Sequence, residues 1–268
     1  ILYKNSVPLV MDSGIEGYFD SSTPWHICSY SHACLQFATR REAIPPDSGG
    51  AINLSAGAYS LERGWVDVPK TSRVLEVRLG EKMESITIEI ANPEGAGRHI
   101  RHVAYVREPD LYVIRDEILG FDGKVLFNLP VAAVESRLGG NRVYSRGAFG
   151  VDLETVFLGP VVSITLDRGR STPFFERKDS EICMMDYIRA VAEAKDGFLT
   201  VLYPKVRESK ELEVTRNLDD SICLMTEKYM LRLDFPALRQ HGDGVTFQQP
   251  FGVSVRSRDS DEKARLLR

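Results

Sequence analysis

Helical periodicity is all but missing from this chain of 268 residues. No window keeps apolar residues at the spacing an amphipathic helix needs, which points away from helical folds. Long apolar runs are missing too, and nothing approaches the roughly 20 residues of a membrane span. A basic stripe is missing: 34 Lys and Arg stand against 38 Asp and Glu, a net charge of −4. That argues against a nucleic-acid partner. The four cysteines, Cys28, Cys34, Cys183 and Cys223, are too few for a disulfide framework. Cys183 and Cys223 sit in apolar strand-like runs and read as buried thiols. There is no GxSxG elbow, no phosphate-binding GxxxxGK loop, no dinucleotide GxGxxG, no CxxC and no HExxH. Internal repeats and low-complexity tracts are also wanting. The chain opens at Ile1-Leu-Tyr-Lys4 without a basic, then apolar, leader. It starts as if in the middle of a fold, so an excised domain or mature fragment is expected.

What the chain has is alternation. Ile86, Ile88 and Ile90 alternate with Ser85, Thr87 and Glu89. Val162, Ile164 and Leu166 alternate with Ser163 and Thr165. Tyr229, Leu231, Leu233 and Phe235 alternate with Lys228, Met230, Arg232 and Asp234. Period two means strands, each with an apolar face on a core and a polar face turned outward. Turn signals separate the runs, among them Asn92-Pro93, Gly139-Gly140-Asn141 and Asp196-Gly197. The fold class expected is all-β, with stacked antiparallel sheets and little helix. Residues 1–256 read as one β-sandwich domain and 257–268 as a charged tail, with a weak boundary between sheet layers near 136–148. Residues 40–70 and 168–180 read as long loops.

Chemistry concentrates in Tyr18-Phe-Asp-Ser-Ser-Thr-Pro-Trp-His26-Ile-Cys-Ser-Tyr-Ser-His32-Ala-Cys34. Two of the five histidines lie here, six residues apart, among Tyr18, Trp25 and Tyr30. Histidine exchanges protons near neutral pH, and aromatic rings beside it suit a sugar ring. His32 is expected to open a strand over Ala33-Cys-Leu-Gln-Phe-Ala38, a place where a side chain is held yet reaches a rim. A second cluster is Arg98-His99-Ile-Arg101-His102. On a strand His99 and Arg101 share one face and His102 the other. That arrangement is either a cationic face for a carboxylate or metal, or an ordinary solvated strand face. His32-x-Cys34 with His99 or Asp47 supplies the donor types zinc accepts, without any tight ligand spacing. Asp116-Glu117 and Asp152-Leu-Glu154 read as surface charge rather than paired catalytic carboxylates. His241 reads as a loop residue.

The order of these motifs resembles heparinase II/III-like polysaccharide lyases. The opening Val7-Pro-Leu-Val-Met-Asp12-Ser-Gly14 is similar to the segment after that family's helical domain. Thr23-Pro-Trp-His26 is similar to its Pro-Trp/Leu-His element, and Ser31-His32-Ala33 to its Ser-His-Asn motif. His99-Ile-Arg101-His-Val103 and Glu108-Pro-Asp-Leu-Tyr112-Val-Ile-Arg-Asp116 resemble its His-x-Arg-x-Val strand and the run after it. Gly197-Phe-Leu-Thr-Val-Leu-Tyr-Pro204 resembles a late strand. The family's Asn is Ala33 here, so any contact from it is lost.

The resemblance implies a β-supersandwich, with an N-terminal α/α toroid lying outside this chain as its partner. It implies cleavage of an acidic, uronate-containing polysaccharide by β-elimination. His32 maps to the family's acid/base histidine and His26 to the same cleft. Trp25 and Tyr18 are expected to stack on sugars, and Arg101 to support structure or bind a carboxylate. A structural zinc occurs in some members, its ligands mapping to Cys34 and His99. Two rivals stand beside this reading. One is a noncatalytic carbohydrate-binding or scaffolding sandwich packed on a helical toroid. The other is a hydrolase using Asp152 or Glu154.

Overall fold

The computed structural model describes residues 2–11, 32–37, 58–60, 64–66, 72–91, 97–171, 183–216, 221–234, 239–241, 244–246 and 252–257. Among them are β-strands, one short 3-10 turn at Ala148–Gly150, and no α-helix.

Three sheets stack in layers. One outer sheet contains β1 (Leu2–Lys4), β2 (Val7–Val10), β3 (Leu35–Phe37), β10 (Lys124–Val131), β14 (Ser163–Ser171) and β15 (Cys183–Glu193), in the order β1-β2-β10-β15-β14. The short β3 also pairs with β10. The middle sheet has eight strands: β6 (Ser72–Leu79), β7 (Met83–Ala91), β8 (Arg98–Val106), β9 (Leu111–Leu119), β11 (Glu135–Gly139), β12 (Arg142–Arg146), β13 (Val151–Phe157) and β16 (Phe198–Val206). Their order is β11-β12-β13-β16-β9-β8-β7-β6, every pairing antiparallel. The second outer sheet is β17 (Glu213–Arg216), β18 (Ile222–Met225), β19 (Tyr229–Asp234) and β22 (Gly252–Ser257). Two hairpins complete the described strands: β4 (Ala58–Ser60) with β5 (Gly64–Val66), and β20 (Arg239–His241) with β21 (Gly244–Thr246).

The middle sheet is covered on both faces, which explains why its central strands are apolar on both. On β9, Tyr112, Ile114 and Ile118 join the core shared with the first outer sheet. Leu111 and Val113 join the core shared with the second, against Leu224, Leu231 and Leu233. Phe127 of β10 sits 5.6 Å, centroid to centroid, from both Phe157 and Phe198, which locks the first interface. Burying each such side chain stabilises by roughly 1.5–3 kcal/mol.

Several expectations are corrected. On β7 the polar face is the buried one: Thr87 and Glu89 are buried, while Ile86, Ile88 and Ile90 are half-buried. Cross-strand partners make this tolerable. Thr87 Oγ1 pairs with His102 Nδ1 at 3.0 Å, and Glu89 pairs with Arg73 and Arg98. The chain changes layer just before 136–148, between β10 and β11, and Gly140, at φ +65°, then turns β11 into β12 inside the middle sheet. Residues 168–171 belong to β14, because backbone pairing with β15 continues to Ser171↔Cys183 after the apolar alternation has ended. Likewise the 40–70 stretch contains the β4–β5 hairpin. His241 is a strand residue paired with Gly244. The strand after His32 begins at Leu35 rather than Ala33, and is described as far as Phe37. Cys223 is half-buried rather than buried, standing opposite Arg232.

Candidate active site

The register of β8 and β9 places Arg101 opposite Asp116 and His99 opposite Ile118. All three polar residues lie on the face turned to the first outer sheet. Asp116 is 1% exposed and His99 3%, so this is no solvated strand face. His99 Nε2 donates to Asp116 Oδ1 at 2.6 Å. Arg101 Nε donates to the same oxygen at 2.6 Å, and Nη2 donates to Oδ2 at 3.1 Å. Burial by itself pushes the Asp116 carboxyl up. The Arg101 and His99 charges and hydrogen bonds outweigh it and hold the group well below the usual carboxylate range. Burial opposes the Arg101 charge, yet Asp116 leaves its pKa raised. The guanidinium also lies 5.8 Å from the Phe127 ring centroid.

The Cys34 segment reaches this cluster through β10: Asn128 N–H donates to the Cys34 carbonyl, Leu35 pairs with Phe127, and Arg101 lies over the Phe127 ring. His32, half-buried, precedes β3 in the same segment. The fold therefore brings His32-x-Cys34 and the His99–Arg101 strand face to one interface. Tyr18, Trp25, His26, Tyr30 and Asp47 lie outside the described residues.

Cys34 and His99 are two of the donors a structural zinc would need. His99 Nε2 is engaged by Asp116. Among the described residues no group of three His, Cys, Asp or Glu side chains is placed to hold a metal ion.

The opposite face of the same strands behaves differently. Burial, and then the charge of Arg115, lowers His102 to about 4, so it stays neutral at pH 7. Burial pushes Glu117 up to about 7 against the pull of Arg115, and its Oε2 has no hydrogen-bond partner among the described residues.

The carboxylates of the rival hydrolase reading are also not surface charge. Glu154 is fully buried, where Arg142 Nη1 and the backbone N–H of Leu212 donate to it. Asp152 accepts from Arg207 Nη2 at 2.9 Å. Both line a groove of about 450 Å³ with Tyr144, Arg146, Lys205 and Glu211. Their lone pairs are already engaged, which leaves little for a glycosidic oxygen or a water.

Solved structures share this architecture. The heparan sulfate lyase HepC from Pedobacter heparinus superposes with a TM-score of 0.59 at 13% identity, over 82% of this chain and 33% of its own. A heparinase III gives a TM-score of 0.58 at 14% identity, over 95% of this chain and 34% of its own. The fold is therefore heparinase-like. This chain spans about a third of the length of those proteins. No protein-family model matches the sequence, and no curated protein matches it significantly.

Sequence reading missed Asp116 as the hub of the cluster, and also missed Asn128 and Arg189, described below. A usable signal existed for Asn128. It is the one polar side chain inside Val125-Leu-Phe-Asn128-Leu-Pro-Val131, and a lone polar residue in a buried run needs a partner.

Proposed function

We propose that this chain is part of a polysaccharide lyase that cleaves a uronate-containing polysaccharide by β-elimination, with His32 in proton transfer. One observation carries the reading. The fold is heparinase-like, and the reading is supported by the way the His32–Cys34 segment bonds to Asn128 of β10, next to Phe127, over whose ring the Arg101 guanidinium lies.

The chemistry sets the requirements. A base removes the proton at C5, the electron pair forms the C4=C5 double bond, and the C4–O bond breaks. The leaving oxygen takes up a proton, and the neighbouring carboxylate must be neutralised for C5 to become acidic. An imidazole can serve as base or as acid near neutral pH. In this reading His26 lines the same cleft, while Trp25 and Tyr18 stack on sugar rings. Arg101, with two nitrogens on Asp116, braces β8 against β9. An α/α toroid, encoded upstream or on a separate chain, supplies the remaining groups.

A second reading, a noncatalytic carbohydrate-binding sandwich, draws on the same geometry, because Arg101 is engaged by Asp116 instead of presented to a ligand. One experiment separates them. A panel of uronate polysaccharides is incubated with this chain and with any longer product of its gene, and the ultraviolet absorbance of the unsaturated uronate is followed. The lyase reading expects signal from the longer product, and a loss on the order of 10²–10⁴-fold for His32→Ala. Full activity of His32→Ala would remove the catalytic role. Binding without product would favour the scaffold, and saturated reducing ends would favour a hydrolase.

A further inference from the structure

We propose that Asn128, itself fixed by Arg189 and Asp167, is the positioning residue for His32. This rests on the proposed catalytic role of His32.

Asn128 is fully buried in a strand whose other side chains around it are apolar. It clamps the segment that carries the histidine at two points. Its backbone N–H donates to the carbonyl of Cys34 at 2.9 Å, and its side-chain Nδ2 donates to the carbonyl of His32 at 2.7 Å. The regular β3–β10 ladder begins at Leu35. Asn128 therefore extends the pairing past the end of the strand, to the residue where chemistry is proposed.

The orientation of this amide is itself determined. Arg189 Nε donates to Asn128 Oδ1 at 3.1 Å, and Arg189 Nη1 donates to Asp167 Oδ2 at 2.8 Å. A guanidinium has donors and no acceptor. Asn128 must therefore turn its oxygen to Arg189 and its NH₂ to His32; the flipped amide would set donor against donor and carbonyl against carbonyl. Arg189 is 5% exposed and lies 5.5 Å from the centroid of the fully buried Tyr187 ring. Carboxylate, guanidinium, amide and peptide carbonyl form one directed chain that ends on the histidine's main chain. Fixing that carbonyl fixes the direction in which the imidazole leaves the backbone. Misplacing a catalytic group by about 1 Å costs on the order of 10²-fold in rate. Burying a guanidinium is expensive, and simple packing could have filled these positions with aliphatic side chains like their neighbours.

The test uses the full-length gene product. Asn128→Asp keeps the shape and the acceptor for Arg189 but sets an oxygen against the His32 carbonyl. Asp167→Asn loosens the far, 43% exposed end of the chain and leaves the fold least disturbed. Expected for Asn128→Asp is a fall in turnover on the order of 10²-fold with KM little changed, a smaller fall for Asp167→Asn, and no further loss from either in a His32→Ala background. The His32 imidazole titration, followed by NMR, moves in both variants. Unchanged turnover and titration overturn the proposal, as does a loss that simply adds to that of His32→Ala. If Asn128→Asp does not fold, Asp167→Asn and Arg189→Lys carry the same readouts. The two readings fail separately. A fully active His32→Ala removes the lyase role, while a shifted imidazole titration still supports the clamp. An inactive His32→Ala with an unmoved titration overturns the clamp alone.

Discussion

Asp116 and Glu117 are consecutive carboxylates on one strand, point to opposite faces of the middle sheet, and shift in opposite directions. Asp116 is the more deeply buried of the two, yet its acidity is strengthened. Glu117, with 11% of its side chain exposed, is pushed up to about 7. Desolvation acts the same way on both. The difference lies in donors: among the described residues Asp116 receives three hydrogen bonds from His99 and Arg101, while Glu117 meets Arg115 alone and leaves Oε2 unsatisfied. Depth of burial does not set the charge state of a carboxyl; the number and sign of the groups that meet it does.

The largest way to break this comparison is to remove the satisfied partner. Asp116→Ala leaves the Arg101 charge in the interface without its counter-charge. The expected loss is about 3–5 kcal/mol of unfolding free energy, read by denaturant unfolding at pH 7. A loss below about 1 kcal/mol would mean that the cluster behaves like an exposed ion pair. Next in size is Glu117→Gln, which removes the unsatisfied charge. The folded carboxyl titrates higher than the unfolded one, so its stabilising contribution is full below the ordinary glutamate range and is lost as pH rises through about 7. The variant is therefore expected to gain on the wild type from about pH 4.3 upward, reaching about 3–4 kcal/mol by pH 8. The difference between the two proteins is the quantity to measure. His102, lowered to about 4, works in the opposite sense in both, losing stability as pH falls below about 6.5. A pH-independent difference would contradict the raised carboxyl.

The same pair shows how far sequence reaches. The parity of β8 shows that His99 and Arg101 share a face, and alternation along the chain is enough for an all-β, layered fold. Parity does not say which face is covered. On β7 the isoleucines looked like the core side, yet Thr87 and Glu89 are the buried residues, because His102, Arg73 and Arg98 arrive from neighbouring strands to satisfy them. Glu154 was misjudged for the same reason; its donors, Arg142 and Leu212, come from 12 and 58 residues away. The His32 clamp depends on Asn128, 96 residues distant, and no local pattern states that pairing.

A last expected effect tests the strand junction itself. Gly197 packs against the peptide that joins the two carboxylates. A Cβ placed there would stand 2.1 Å from the Asp116 carbonyl oxygen and 3.6 Å from the Glu117 Cα. Its φ of +58° adds a conformation that side chains with a Cβ rarely adopt. For Gly197→Ala the φ alone is expected to cost about 1–3 kcal/mol, and the overlap with the Asp116 carbonyl adds to it. The strain acts on backbone common to both faces and touches no titrating atom. The loss should therefore be equal at pH 5 and pH 8, unlike the pH-dependent difference of Glu117→Gln. A loss that grew with pH would show that the backbone shift is carried into the Glu117 environment, and that the two faces of β9 are mechanically coupled rather than merely adjacent.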